Sequence, residues 1–154
     1  MATKTIEIRE GSVEEFRSDA GVLLVDHFCE VARDAGVRKL NPDWEMFETL
    51  EGLERLMILL AYQDNQCVGY CVSVLMAHSH NKHQLQLHND TTFVHPSVRK
   101  SGVGLELMRC MEEIADDHGA DCVWIAPTHS KLDQVMARRS EYVGTHTIYS
   151  RRAK

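Results

Sequence analysis

The sequence predicts one α/β domain over residues 1–154, with about four helices around a mixed, mostly antiparallel sheet of about six or seven strands. The length suits one domain with a full core, and the apolar share of 44% is ordinary for a globular protein. Two apolar runs around a polar turn at 64–65 predict an antiparallel hairpin. A strand, a helix and a second strand between 84 and 126 predict a parallel crossover, which is normally right-handed.

The first third of the chain predicts one strand and an amphipathic helical region. Residues 5–9 alternate polar and apolar side chains, as a half-buried strand does. Ser12 and Glu15 have the spacing of a capping box, which predicts a helix start. Apolar residues follow at helical spacing, and Gly21 either kinks this helix or divides it into two.

A further helix start lies at Asn41-Pro42, because a cap residue is followed there by proline at the first helical position. Trp44 and Phe47 lie on one side of this helix and are interpreted as core residues. The remaining predicted elements are strands at 56–62, 67–76 and 84–94, a helix at 101–118, a strand at 121–126, a helix at 130–139 and a last strand at 142–149.

The segment 91–107 has the most specific pattern in the chain. It combines a strand, a turn and a helix start, with Gly102 and Gly104 at the junction. The first N–H groups of a helix have no partner within it, so they attract anions such as phosphates. Glycine lets the backbone approach such a group closely, and Arg99 adds a permanent positive charge. The segment therefore predicts a phosphate-binding loop, with an ordinary turn and packing glycines as the alternative.

Two common phosphate loops do not fit this segment. A Walker A loop requires Gly-Lys-Ser/Thr, and a dinucleotide loop requires a third glycine where this chain has Leu107. The segment instead resembles the acetyl-CoA loop of the GNAT N-acetyltransferase superfamily. It matches that loop as Val94-x-Pro96-x-x-Arg99-x-x-Gly102-x-Gly104.

The resemblance implies a fold, a cosubstrate and a set of binding residues. In the family, the loop amides hold the CoA pyrophosphate, the preceding strand pairs with the pantetheine arm, and CoA lies where the two parallel strands splay apart. Acetyl-CoA is therefore the implied cosubstrate, and an amine of a small molecule or a protein is the implied acceptor. The implied cofactor-binding residues are Phe93, Val94, Arg99, Lys100, Ser101, Gly102, Val103, Gly104 and Ser130.

Acetyl transfer requires a base for the amine proton, and the resemblance places it at Asp90, four residues before Val94. The alternatives for this aspartate are a bulge residue facing solvent and a structural hydrogen bond. His88 lies two residues earlier and would share a face with Asp90 in a regular strand. Because imidazole titrates near neutral pH, His88 is a second candidate base, with an exposed polar strand residue as its alternative.

The tyrosine that serves as general acid in the family has no counterpart in this chain. When the aromatic residue that follows it in the family is aligned with Tyr142, Ala137 occupies the tyrosine position. Glu141 and Ser130 replace the usual glycine and asparagine. Tyr142, Tyr149 or Ser130 could substitute, or water could protonate the thiolate, whose pKa is not high.

Composition and charge exclude several classes of protein. The formal net charge of −6 argues against general nucleic-acid binding, which requires a basic face. There is no apolar run of membrane-spanning length and no apolar signal core, so we predict no membrane association and a cytoplasmic protein. The five cysteines lack a Cys-x-x-Cys motif and predict reduced thiols. No metal is predicted, because the histidine-rich tip at 78–83 has no familiar ligand spacing and is interpreted as solvated.

Strand and helix order resembles the family over nearly the whole chain, and a looser likeness links it to short GNAT-like proteins of tailed phages and prophages. That likeness rests on the stretch 41–44, the histidine-rich tip and Asn89-Asp90, and it implies the host cytoplasm. In the family, the early helical region often forms a wall of the acceptor pocket. Lining such a pocket is therefore the alternative to a core role for Trp44 and Phe47. Two functions stay open: an N-acetyltransferase, and a catalytically weak CoA-binding accessory protein that acts by binding a partner. A homodimer is an open alternative for the assembly.

Overall fold

The computed structural model describes residues 5–31, 39–127 and 129–148. The chain divides into two compact units, Met1–Trp124 and Ile125–Lys154. Among the described residues, the first unit contains the sheet and four α-helices, and the second contains one short helix. None of the helices in these ranges combines the length and the apolar character that crossing a membrane requires.

The first unit is built on a five-stranded sheet whose strands follow each other in chain order. The strands are β1 (Ile6–Glu10), β2 (Leu56–Gln63), β3 (Gln66–His78), β4 (Asn81–Val94) and β5 (Ala120–Val123). β1 to β4 pair antiparallel, and β4 and β5 pair parallel. The predicted mixed sheet, hairpin and parallel pair are therefore confirmed.

The number of strands is smaller than we predicted. Within the described residues 142–148 the chain forms no strand, and Tyr149 lies outside the described ranges. Val143 is 80% exposed and Ile148 is 68% exposed. A strand is stabilised by burying one of its faces, and this segment buries little of either face. The prediction from β-branched and aromatic content alone was therefore wrong for these residues.

The described ranges contain five α-helices, close to the prediction of about four. They are α1 (Val13–Asp19), α2 (Gly21–Val31), α3 (Trp44–Gly52), α4 (Val103–Asp117) and α5 (Lys131–Met136). The capping box is confirmed, because Ser12 accepts from the Glu15 N–H and the Glu15 carboxylate accepts from the Ser12 N–H. Gly21 divides the first helical region: α1 ends at Asp19 with Ala20 as its C-cap, and α2 begins at the glycine. The cap of α3 is Asp43, which accepts from the Met46 N–H at 2.9 Å, so the prediction of Asn41 as cap was wrong.

The sheet has a core on each face. On one face α4 buries Leu107 and Met111 against Leu59, Cys71 and Leu87. The other face carries α1 and α2, and its buried residues include Phe16, Leu60, Tyr70 and Phe93. Trp44 and Phe47 pack against this second core, with the Phe16 ring centroid 5.9 Å from that of Trp44 and 6.3 Å from that of Phe47. Both aromatic residues therefore pack on the core, as interpreted, but each is only partly buried, and a role in walling an acceptor pocket stays an alternative.

We expect Leu107→Ala to lower the free energy of unfolding by about 2–5 kcal/mol, because it removes a fully buried side chain from the centre of the α4 core. Urea denaturation of the variant and the wild type measures the difference. Leu105→Ala is the matched control, since Leu105 is 46% exposed on the same helix. A similar loss in both variants would contradict the assignment of this core.

Candidate functional site

The central feature of the candidate site is a β-bulge in β4. Ser73 pairs with Asn89, but the residue of β3 that precedes it, Val72, pairs with Thr91. Asp90 is therefore an extra residue with no partner in the ladder. This is one of the two alternatives that the sequence left open for it. A bulge bends its strand and re-aims the side chain of the extra residue.

The parallel pairing of β4 with β5 stops just before the bulge. The last pair is His88 with Val123, and beyond it the part of the chain that the structure describes adds no strand to this edge of β4. On this edge the main-chain groups of 89–93 pair with no further described strand, and the Val94 carbonyl accepts from Arg99. Such an edge can pair with an extended ligand. Because β5 ends at Val123, the splay of the two parallel strands that the sequence resemblance implied stays a prediction.

Asn89 fixes the bulge from the side of the α4 core. Its side chain is buried, and Nδ2 lies 3.0 Å from Thr92 Oγ1, 3.2 Å from the Val72 carbonyl oxygen and 3.4 Å from the Thr91 carbonyl oxygen. A buried amide requires such partners, because an unpaired polar group in a core is costly. Asn89, which precedes Asp90, is therefore linked both to Val72 of β3 and to Thr91 and Thr92, which follow Asp90 in β4.

Asp90 is exposed at the surface, yet the surrounding protein displaces part of its hydration. This desolvation raises the pKa of its carboxyl group. Within the described residues the carboxylate has no hydrogen-bond or ion-pair partner. His88 is not bonded to it and instead contacts Gln86, with 3.1 Å between Nε2 and Oε1. An unpaired, partly desolvated carboxylate is a better proton acceptor than a fully hydrated one.

A histidine and a tyrosine that the sequence analysis did not single out lie beside the bulge. His27 of α2 places Nδ1 2.7 Å from the Tyr70 hydroxyl and 3.4 Å from Thr91 Oγ1. Its ring stacks on Phe93 with 4.8 Å between centroids. The helical spacing does place His27 four residues after Leu23, on the apolar face. Nothing in the sequence, however, pairs it with residues 43 and 64 positions away.

The loop after β4 begins with a single 3-10 turn, Pro96–Val98, and leads into α4. Gly102 caps α4 with φ +87°, a left-handed conformation that favours glycine. The first intrahelical bond runs from the Glu106 N–H to the Gly102 carbonyl at 3.1 Å. The amides of Val103, Gly104 and Leu105 therefore have no acceptor within the helix. An added Cβ at Gly104 would meet only Val94 Cγ2, at 3.7 Å.

Two of the predicted loop residues are already bonded within the protein. The Ser101 N–H donates to the Val98 carbonyl at 3.0 Å, so this amide is not free for a phosphate. Arg99 donates from Nε to the Val94 carbonyl at 2.9 Å and forms an ion pair with Glu30 of α2 at 2.5 Å. Its positive charge lowers the pKa of Glu30. Lys100 is exposed beside this loop.

The predicted residues Ser130 and Tyr142 belong to the second unit. Ser130 caps α5, and its Oγ accepts from the Asp133 N–H at 3.1 Å. The Tyr142 ring lies under the Arg139 guanidinium, with 5.0 Å to the ring centroid. Ala137 follows α5 as its C-terminal cap, so no hydroxyl occurs at this position. The first unit thus contains Asp90 and His88 on β4 and the loop residues on the elements that directly follow it. Roles for Ser130 and Tyr142 stay predictions.

The last feature of the site concerns the side chains that could bind a metal ion. Within the described ranges, no group of three or more His, Cys, Asp or Glu side chains is placed to hold a metal ion. At the histidine-rich tip, the His80 N–H donates to His78 Nδ1 at 3.2 Å, so His78 satisfies a backbone group of its own turn.

The family comparison matches the part of the chain that contains this site. A sequence model described as the Acetyltransferase (GNAT) family matches residues 38–138, about two thirds of the chain. A search of curated proteins found no match.

Solved structures share the fold at low sequence identity. A ribosomal-protein-alanine N-acetyltransferase from Brucella melitensis biovar Abortus 2308 is 16% identical, with a TM-score of 0.72 over 97% of this chain and 100% of that one. An aminoglycoside acetyltransferase from an uncultured soil metagenomic sample, solved with sisomicin, is 13% identical, with a TM-score of 0.68. The match covers 97% of this chain and 95% of that one. A predicted acetyltransferase from Clostridium acetobutylicum, solved with acetyl-CoA, is 14% identical, with a TM-score of 0.64. The match covers 92% of this chain and 96% of that one.

Proposed function

Because the chain belongs to the GNAT acetyltransferase family, we propose that it transfers the acetyl group of acetyl-CoA to a primary amine of a small molecule or a protein. The observation that carries this proposal is the bulge at Asp90, which lies on an open strand edge that leads to the free amides of α4. We further propose that residues 1–154 act as one domain in the cytoplasm. A phage origin and a homodimer stay predictions.

The donor fits along β4 and the loop that follows it. The pantetheine arm would pair with the open backbone edge of 89–93, and the pyrophosphate would lie on the amides of Val103, Gly104 and Leu105. The absence of a side chain at Gly104 leaves that approach free. Arg99 would contribute mainly by bracing the loop through the Val94 carbonyl, since Glu30 already pairs with its guanidinium.

In the proposed reaction the amine nitrogen attacks the carbonyl carbon of the thioester, and the C–S bond breaks as the amide forms. Asp90, acting through a water molecule, takes the proton that the amine loses. Backbone N–H groups of the open edge would stabilise the negative charge that develops on the carbonyl oxygen. The thiolate of CoA leaves and takes a proton from water, because Ala137 offers no acid at the position where the family uses tyrosine.

The choice of acceptor is the least constrained part of the proposal. By their descriptions, two of the proteins with a similar fold act on an aminoglycoside and on a ribosomal-protein alanine. Both kinds of acceptor carry amines that are cationic when protonated. The formal net charge of −6 suits a cationic acceptor, since opposite charges increase the rate of encounter.

The test is an assay of CoA release from acetyl-CoA, with aminoglycosides, polyamines and peptides with an N-terminal alanine as acceptors. We expect amine-dependent release above the hydrolysis blank for at least one of these classes. The second function, a CoA-binding accessory protein, is favoured by Ala137 in place of the acid. Tight binding of acetyl-CoA without release for any amine would support that function.

We expect a chelator to change neither the transfer rate nor the melting temperature, since no described residues are grouped as metal ligands. The assay and a thermal melt are repeated after dialysis against EDTA. A loss of rate or stability that zinc restores would show a metal site and would contradict this expectation.

A further inference from the structure

The bulge that carries Asp90 is held on both faces of the sheet by polar side chains. Asn89 precedes it and bonds toward the α4 core. Thr91 follows it, and Thr91 Oγ1 lies 3.4 Å from His27 Nδ1, which is 2.7 Å from the Tyr70 hydroxyl. We name His27, Tyr70 and Thr91 the bulge clamp. Its three members come from α2, β3 and β4, so it joins three elements at one point.

The bulge clamp is desolvated, which fixes its protonation. Tyr70 has 0% exposure, and burial raises the pKa of its phenol, so the hydroxyl keeps its proton. Burial lowers the pKa of His27, so the imidazole is neutral at neutral pH. A neutral imidazole has one protonated ring nitrogen, so the bond between His27 Nδ1 and the Tyr70 hydroxyl is donated by whichever of the two atoms carries the proton. In either tautomer the bond ties Tyr70 of β3 to α2.

Charged groups around the bulge clamp act in different directions on its two titrating members. The charge of Glu30 raises the pKa of His27, and that of Arg99, in the loop after β4, lowers it. The charges of Cys67 and Asp90 both raise the pKa of Tyr70.

We propose that His27, Tyr70 and Thr91 are positioning residues that hold the bulge so that the Asp90 carboxylate faces the acceptor, partly desolvated and without a donor of its own. The proposal rests on the proposed function for the role of Asp90 as base. The bulge clamp touches neither donor nor acceptor; it acts on the orientation and hydration of Asp90. Loosening it admits water to the carboxylate and misaligns it with the amine.

The test uses substitutions that remove only a hydroxyl group. Thr91→Val and Tyr70→Phe should lower kcat about 10- to 100-fold, because a misplaced catalytic group loses that much, while the KM for acetyl-CoA stays within twofold. Thr91→Ser keeps the hydroxyl and should restore kcat to within about threefold of the wild type. Tyr62→Phe is the matched control. It also removes a tyrosine hydroxyl, but this one donates to Asp19 and accepts from Arg9, away from β4.

A second measurement does not require turnover. Carbon-detected NMR titration of the Asp90 carboxyl group should give a raised pKa in the wild type and a lower pKa in Thr91→Val and Tyr70→Phe, as water reaches the carboxylate. The acid limb of the kcat/KM profile should move to lower pH in parallel. Melting curves identify any variant that fails to fold, and His27→Gln then provides a third, independent removal of the contact.

The outcomes separate the two proposals. An unchanged Asp90 pKa in folded Thr91→Val and His27→Gln overturns the bulge clamp, whether or not the protein is an active transferase. A normal kcat in both variants overturns it as well. If the wild type releases no CoA with any amine, the proposed function fails, and the NMR titration alone decides whether the bulge clamp holds Asp90.

Discussion

Asp90→Asn should lower the rate of acetyl transfer about 10²- to 10⁴-fold at neutral pH, the usual effect of removing a general base. The amide is nearly the same size as the carboxylate but accepts no proton. Binding of acetyl-CoA should be unchanged, because the loop and the α4 amides do not depend on this side chain. The loss should shrink as pH rises, since the amine then deprotonates without help. Steady-state rates between pH 6 and 10 and calorimetry with CoA measure both effects.

The same substitution should not destabilise the fold. Desolvation raises the pKa of Asp90 above its ordinary value, so the ionised form opposes folding. The stability linked to this group is fully present below the ordinary carboxyl pKa and is lost as pH rises through the raised one. At pH 7 asparagine carries no charge to desolvate, so the melting temperature should be equal to that of the wild type or higher. Lost activity at undiminished stability is typical of a functional position.

His88→Gln is the companion variant, because His88 lies on the same strand but bonds to Gln86. It should change the rate little. If His88→Gln loses most of its transfer rate while Asp90→Asn keeps a near wild-type rate, His88 and not Asp90 is the general base. If neither variant changes the rate while CoA still binds, the site uses another base or none.

The strand, turn and helix start of the proposed phosphate loop could be predicted from sequence because their pattern is local. Glycines, a proline and a helix start lie within about ten residues, so the existence of α4 follows from the spacing, although its predicted start at residue 101 was two residues early and Gly102 proved to be its cap. The occupation of the Ser101 amide could not be predicted in the same way. It depends on a turn in which Val98 accepts twice, from the N–H and from the hydroxyl of Ser101.

The bulge clamp could not be predicted, because its members are far apart in sequence. A bulge appears only when two strands are paired, and the register of β3 against β4 depends on which residues both faces bury. His27 reaches Thr91 across 64 positions once α2 packs on the sheet. Local patterns identified Asp90 as a residue in need of an explanation, and only the fold shows what surrounds it.

Gly104→Val should lower the affinity for acetyl-CoA by at least about tenfold, because its methyl groups would cover the amides that are proposed to hold the pyrophosphate. One lost hydrogen bond to a charged group is worth about 1.5–3 kcal/mol, and each 1.4 kcal/mol is a factor of ten in affinity. The helix itself should tolerate the change. The nearest atom to the new Cβ is Val94 Cγ2 at 3.7 Å, and valine is a slightly better helix residue than glycine.

Gly104 is a cleaner position for this test than Gly102. At φ +87° any side chain at Gly102 strains the backbone, so a loss of binding there would not separate a steric effect from a distorted loop. The matched control is Gly21→Val, the same change in the first turn of α2, where an added Cβ meets no atom within 4 Å. Calorimetry with acetyl-CoA should give near wild-type affinity for Gly21→Val and weak binding for Gly104→Val. If folded Gly104→Val binds as tightly as the wild type, the pyrophosphate does not lie on these amides, and the donor must enter the open edge of β4 by another path.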